Sequence, residues 1–184
     1  MAEEDLTVEV GPRVIPMVEY LRKDLFSDER IIYFEKRRGW VKELSKTTGT
    51  KERVIQGDGS KLSLPSASAG TIFAKDLFGS QGMLAMEPGG GQVTLKEEIG
   101  EGFGKEWYRV LKPGGKVVIV ETSTPADRKV LKAEFVNAGF ELSEEHSGRD
   151  IGKVFAEKEI FSTLGEGTNG RAAYSLIFIK PSRS

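Results

Sequence analysis

Eight residues of this 184-residue chain have types and positions that could act together. Glu9 stands near the end of "LTVEV", and Gly11 follows it. Glu35 closes "IIYFE", 24 residues past Gly11. "GDGSKLSLP" sets Asp58 between Gly57 and Gly59, and Lys75-Asp76 follows "TIFA". A carboxylate about 20 residues beyond a glycine turn can accept hydrogen bonds from both hydroxyls of a ribose. One held between two glycines can accept from an exocyclic adenine amine, because glycine lets backbone and ligand approach closely. The chemistry is nucleoside recognition, with an ionisable Lys-Asp pair next to it.

The first turn departs from a nucleotide loop. Arg13 and Ile15 occupy the places where a second and a third glycine would stand. Pro12 fixes φ and has no N–H to donate, and β-branched Ile15 disfavours positive φ. Two outcomes are open for Arg13. It clamps a ligand carboxylate, or it fills the pocket. Pro16 suits the first turn of a helix and keeps Ile15 out of helical geometry, so a helix is expected to begin near Pro16.

Plainer readings stand beside these. Glu35 can simply begin the next helix, where a negative charge suits the dipole. Asp58 can hold an Asx-type turn, and Glu9 can cap local backbone donors. Lys36-Arg37-Arg38 fits a 2′-phosphate pocket less well than a solvated helix face. His146 lies in a polar "EEHSG" stretch near a strand end, a weak place for a catalyst. Trp107 and Tyr108 read as core and interface residues rather than a base-stacking platform.

Seven strand-like runs must position these residues: 6–10, 31–35, 53–56, 71–74, 116–120, 140–144 and 174–179. Those at 31, 71 and 116 are continuous apolar runs, as in strands buried on both faces of a parallel sheet. Helical stripes lie between them. Met17, Val18, Leu21 and Leu25 share one face; Trp40, Val41 and Leu44 share another, with Gly49 as a stop. Trp107, Val110 and Leu111 form a third, ended by Pro113-Gly114-Gly115. The fourth has Thr124 as N-cap, Pro125 at the first position and Asp127 completing a capping box. Leu131, Phe135 and Ala138 form its inner face, and Gly139 ends it. This alternation predicts an α/β, doubly wound, Rossmann-like sheet of seven strands in one domain spanning 1–184. Loop-rich segments are expected near 79–104 and 147–173.

"GDGSKLSLPSASAGTIFAKD", followed after an insertion by "EWYRVLKPGGKVVIVE", resembles the class I S-adenosylmethionine-dependent methyltransferases, of the methyltransferase type 11 kind. The resemblance covers roughly residues 6–145 by order of elements. It implies a mostly parallel sheet with an antiparallel last strand, which "AYSLIFIKP" would suit. It implies S-adenosylmethionine as cofactor and S-adenosylhomocysteine as product. By position it carries cofactor binding to Glu9, Gly11, Arg13, Glu35, Gly57, Asp58, Gly59 and Lys75, and a catalytic role to Asp76. Arg13 and Ile15 depart from its glycine-rich first motif. The family commonly has a helix before its first strand, and only about five residues precede it here. Acceptor recognition is then expected from 79–104, from 147–173 or from a partner subunit. Two other readings compete: a catalytically silent binding or scaffold subunit, and an NAD(P)-dependent oxidoreductase, which lacks G-x-G-x-x-G and leaves LKPGG unexplained.

Composition narrows the field. A net charge of −1 and pI near 6.0 give no global basic field, so a nucleic acid is not indicated as partner. The expected acceptor is a small molecule or a protein. The chain has no cysteine and one histidine, so no metal site is expected. No apolar run approaches the ~20 residues of a membrane span, and the acidic start has no apolar signal core. The expected setting is cytoplasmic.

Overall fold

The structure, a computed structural model, describes residues 5–12, 15–27, 30–49, 53–78, 102–156 and 172–182. Seven strands form one sheet: β1 (Leu6–Val10), β2 (Arg30–Glu35), β3 (Val54–Gln56), β4 (Ala69–Lys75), β5 (Leu111–Ser123), β6 (Glu141–Ser147) and β7 (Ala172–Ile179). Their order is β3-β2-β1-β4-β5-β7-β6. The first five in that order run parallel, and β7 lies antiparallel between β5 and β6. This is the doubly wound, mostly parallel sheet with an antiparallel last strand that the sequence predicts.

Both faces of the sheet are covered, which is why its central strands are apolar throughout. On one face Val8, Val10, Ile72, Val117 and Ile119 pack with α2 (Phe103–Val110) and α3 (Pro125–Asn137). Aromatic rings dominate there: Trp107 lies 5.4 Å from Phe135, which stacks on Phe178 at 5.1 Å. On the other face Ile31, Tyr33, Phe73, Val118 and Ile177 meet Leu44 of α1 (Arg38–Thr47), together with Val18, Leu21, Ile151 and Phe155. β1 is buried at all five positions despite two polar residues. The Thr7 hydroxyl donates to Ser27 O at 2.7 Å and accepts from Ser27 N at 3.2 Å, so its burial leaves no hydroxyl unpaired.

The expected caps form. Thr124 and Asp127 make a reciprocal capping box with Pro125 in the first turn, and Gly139 closes the helix at φ +105°. Gly49, at φ +68°, follows α1.

Three expectations need correction. No α-helix begins near Pro16; the segment makes only a 3-10 turn over Val18–Tyr20. Its backbone groups go elsewhere: Met17 N and Val18 N donate to Glu9, and Leu21 bridges to Phe155. Arg22 N donates to Val154 O, and Ala156 N to Tyr20 O. Val18, Leu21 and Leu25 still face inward, so the apolar stripe was real but its backbone is not helical.

Second, α2 ends at Val110, before the Pro113-Gly114-Gly115 stop. Ala67 N and Ser68 N take the carbonyls of Arg109 and Val110, and Leu111 pairs with Ala69 as the start of β5. Pro113-Gly114-Gly115 lies within the irregular stretch where the β4–β5 register shifts, with Gly114 at φ +77°. Third, β6 runs on to Ser147, because β7 offers backbone partners as far as Tyr174. Of the segment expected to be loop-rich near 147–173, Gly148–Val154 is a 3-10 helix and Ile151, Val154 and Phe155 are core residues. Residues 157–171 and 79–101 lie outside the described residues. No helix among the described residues is long and apolar enough to cross a membrane.

Candidate cofactor-binding site

The residues singled out in the sequence converge on one edge. Glu9 and Gly11 stand at the carboxyl end of β1, Glu35 at that of β2, Gly57-Asp58-Gly59 beyond β3, and Lys75-Asp76 at that of β4. These four strands are consecutive neighbours in the sheet. Open parallel sheets bind ligands outside such ends. Arg13 lies outside the described residues.

Each acid is held by nearby donors. Glu9 is fully buried, and its carboxylate receives Met17 N at 2.8 Å and Val18 N at 3.1 Å. Burial pushes its pKa up from 4.5 to about 8, against the pull of those two N–H groups. Glu35, buried at the end of β2, accepts from Arg37 N at 2.9 Å. Asp58 Oδ1 receives both Ser60 N, at 2.9 Å, and Ser60 Oγ, at 2.8 Å. Its other oxygen lies 2.9 Å from Lys36 Nζ. Partial burial works against the Asp58 carboxylate, but the Ser60 bonds and Lys36 outweigh it and hold its pKa below the ordinary value.

Lys36 is the feature that sequence reasoning missed. Glu35 pairs with Gln56 in the parallel β2–β3 register, so the next residues on each strand, Lys36 and Gly57, leave the sheet side by side. That register, once known, places a lysine beside the Asp58 turn. The other members of the basic run also have defined surroundings. Arg37 lies 4.2 Å over the Trp40 ring, and Arg38 is exposed.

The glycines are required by the protein itself. Gly11 has φ +71°, and a Cβ there would come within 2.9 Å of Leu77. A Cβ on Gly59 would lie 2.4 Å from Val10 Cγ1. Trp107 Nε1 donates to Gly59 O at 2.8 Å, tying α2 to the same turn. Asp76 takes up φ +50°, a conformation uncommon outside glycine, with its N–H on Val120 O and its carboxylate on Lys75. Beyond it, Phe78 N donates to the buried Glu121 carboxylate at 2.8 Å, fixing the turn that carries Leu77 against Gly11.

His146 stands level with Lys75 in the sheet register but away from the four strands that carry the acids. It lies on β6, three strand spacings or about 14 Å beyond β4, with Nε2 2.9 Å from Glu144. Trp107 is fully buried among aromatic rings. Among the described residues no group of acidic and histidine side chains could hold a metal.

Similar solved structures include chains named as methyltransferases. A Methanosarcina mazei S-adenosylmethionine-dependent methyltransferase matches with TM-score 0.64 at 12% identity, over 100% of this chain and 95% of that one. A Haloferax volcanii chain described as a methyltransferase, in complex with the Trm112 methyltransferase activator, matches with TM-score 0.62 at 15% identity over 97% and 84%. The [4+2]-cyclase SpnF matches with TM-score 0.61 at 16% identity over 97% and 76%. No family model and no curated protein matches the sequence. The chain therefore has the fold of the class I S-adenosylmethionine-dependent methyltransferases. The cyclase shows that this fold also carries other chemistry.

Proposed function

We propose that the protein binds S-adenosylmethionine across the carboxyl ends of β1 to β4 and transfers its methyl group to a small-molecule or protein acceptor. One observation carries this reading: Glu9, Glu35 and Asp58 occupy the ends of three adjacent strands, in the order a nucleoside crossing them would meet. The residues present fit the group. Glu35 would accept from the ribose hydroxyls, and Asp58 from the adenine amine, sharing its second oxygen with Lys36 or displacing it. Glu9 would hold the first turn through Met17 N and Val18 N, while Gly11 and Gly59 keep backbone at close approach. Lys75 and Asp76 would stand nearest the transfer, with Asp76 accepting an acceptor proton. When bound, the cofactor supplies an electrophilic methyl on its sulfonium, so the chain's own task is to align the acceptor and exclude water. The Haloferax volcanii neighbour is held with an activator, which supports a site completed here by a partner subunit.

A second reading has its own observation. All three acids already bind donors of this chain, as expected in a silent binding or scaffold subunit that keeps the fold without the cofactor. S-adenosylhomocysteine and NADP(H) distinguish the readings in a thermal-shift experiment. A rise in Tm with the first alone supports the methyltransferase reading. A rise with NADP(H) alone transfers the site to a nicotinamide cofactor, and no rise with either supports the silent subunit.

A further inference from the structure

The net charge of −1 conceals a strong asymmetry. Between residues 36 and 53 the sequence has seven lysines and arginines against Glu43 and Glu52, a local charge of +5. Of these, Lys36, Arg37, Arg38, Lys42, Lys46 and Arg53 are among the described residues and lie on the β2–α1–β3 edge of the sheet. Arg38, Lys42 and Lys46 are all exposed and fall four residues apart along α1. Four residues are just over one helical turn, so they form one row with about 6 Å between successive Cβ atoms, Lys46 also lying 2.8 Å from the exposed Glu43 carboxylate.

The row begins where folding disfavours it. The first turn of α1 contains no acid, yet Arg37 and Arg38 stand at its amino end, against the helix dipole. Beside them the Arg37 guanidinium covers the half-exposed Trp40 ring at 4.2 Å. A row of cations flanked by stacked planar groups fits a chain of phosphates joined to aromatic bases. An acidic peptide would match the charge but bring no π-faces to the Arg37–Trp40 pair. A membrane surface would call for an exposed apolar face, and the leucine of α1, Leu44, is buried in the core.

We propose that the α1 edge docks a single-stranded nucleic acid, its phosphates along Arg38, Lys42 and Lys46 and a base against the Arg37–Trp40 pair. The proposal goes beyond the cofactor reading and does not rest on it. It concerns docking and assigns no methylated atom.

Fluorescence anisotropy of a labelled 12-nucleotide RNA, with no cofactor present, tests it directly. The full chain should bind with an affinity that falls steeply with salt. The triple variant R38A/K42A/K46A should flatten the log–log salt slope by about 2, given roughly 0.7 per phosphate contact on single strands. W40A should weaken binding several-fold while leaving that slope unchanged. K129A, at an exposed position on α3, should change neither. Circular dichroism confirms that each variant is folded. Three results would each overturn the proposal: no binding at low salt, an unchanged slope in the triple variant, or equal competition by polyglutamate of matched charge. Failure here leaves the cofactor titration untouched, since the two experiments share no ligand.

Discussion

Glu9 carries the sharpest consequence at the scale of single residues. Its folded pKa, about 8, lies above the ordinary 4.5. Between these values the folded protein keeps a proton that the unfolded chain releases. Stability should therefore be greatest below about pH 4.5, as far as this group is concerned, and fall as pH rises through about 8, by up to about 5 kcal/mol. Gln in place of Glu9 keeps an acceptor for Met17 N and Val18 N but has no proton to lose. Urea midpoints across pH 5 to 8 should show the decline flattened in E9Q; an equal slope in both proteins would contradict this role for Glu9. Lys36 acts in the opposite sense at Asp58. Removing its ammonium in K36A leaves Asp58 Oδ2 to a ligand amine, so S-adenosylhomocysteine should bind severalfold more tightly. Lower affinity would mean that Lys36 itself holds the ligand. The acids were legible in the sequence because each stands at or just beyond the end of a strand-like run. Their present partners were not, because Lys36–Asp58 depends on β2–β3 register and Glu9–Met17 on a turn that no local pattern announces.

At the scale of elements, legibility followed locality. The cap of α3 is written within four consecutive residues, Thr124 to Asp127, and it forms as expected. T124A should cost about 1 kcal/mol in chemical denaturation, since it loses the side chain that accepts from Asp127 N. The segment after β1 shows the converse. Its apolar spacing is helical, but its N–H groups serve Glu9 and the strand-like stretch around Phe155, partners set by tertiary structure. The Gly57–Gly59 turn belongs between these cases. Its glycines read as room for a ligand, whereas the Gly59 position is filled by Val10 and Phe103. G59A should thus destabilise the fold by about 1–3 kcal/mol with no ligand present. An unchanged Tm would return that glycine to a purely ligand-related role.

For the whole molecule, the strands could be found because the central ones are continuous apolar runs, and the order of motifs implied their topology. The charge distribution was hidden by its sum: seven cations between residues 36 and 53 vanish into a net charge of −1. The molecule presents a candidate nucleoside edge at the ends of β1 to β4, with the basic face of α1 beginning directly after Glu35. The fold alone leaves open whether that edge takes the cofactor, since likeness of fold does not fix function. Calorimetric titration of S-adenosylmethionine into the purified chain decides it. Saturable one-to-one heat is expected, with affinity weakened at least about tenfold in both E35A and D58A, as for the loss of a hydrogen bond to a charged group. No heat at millimolar ligand would contradict it.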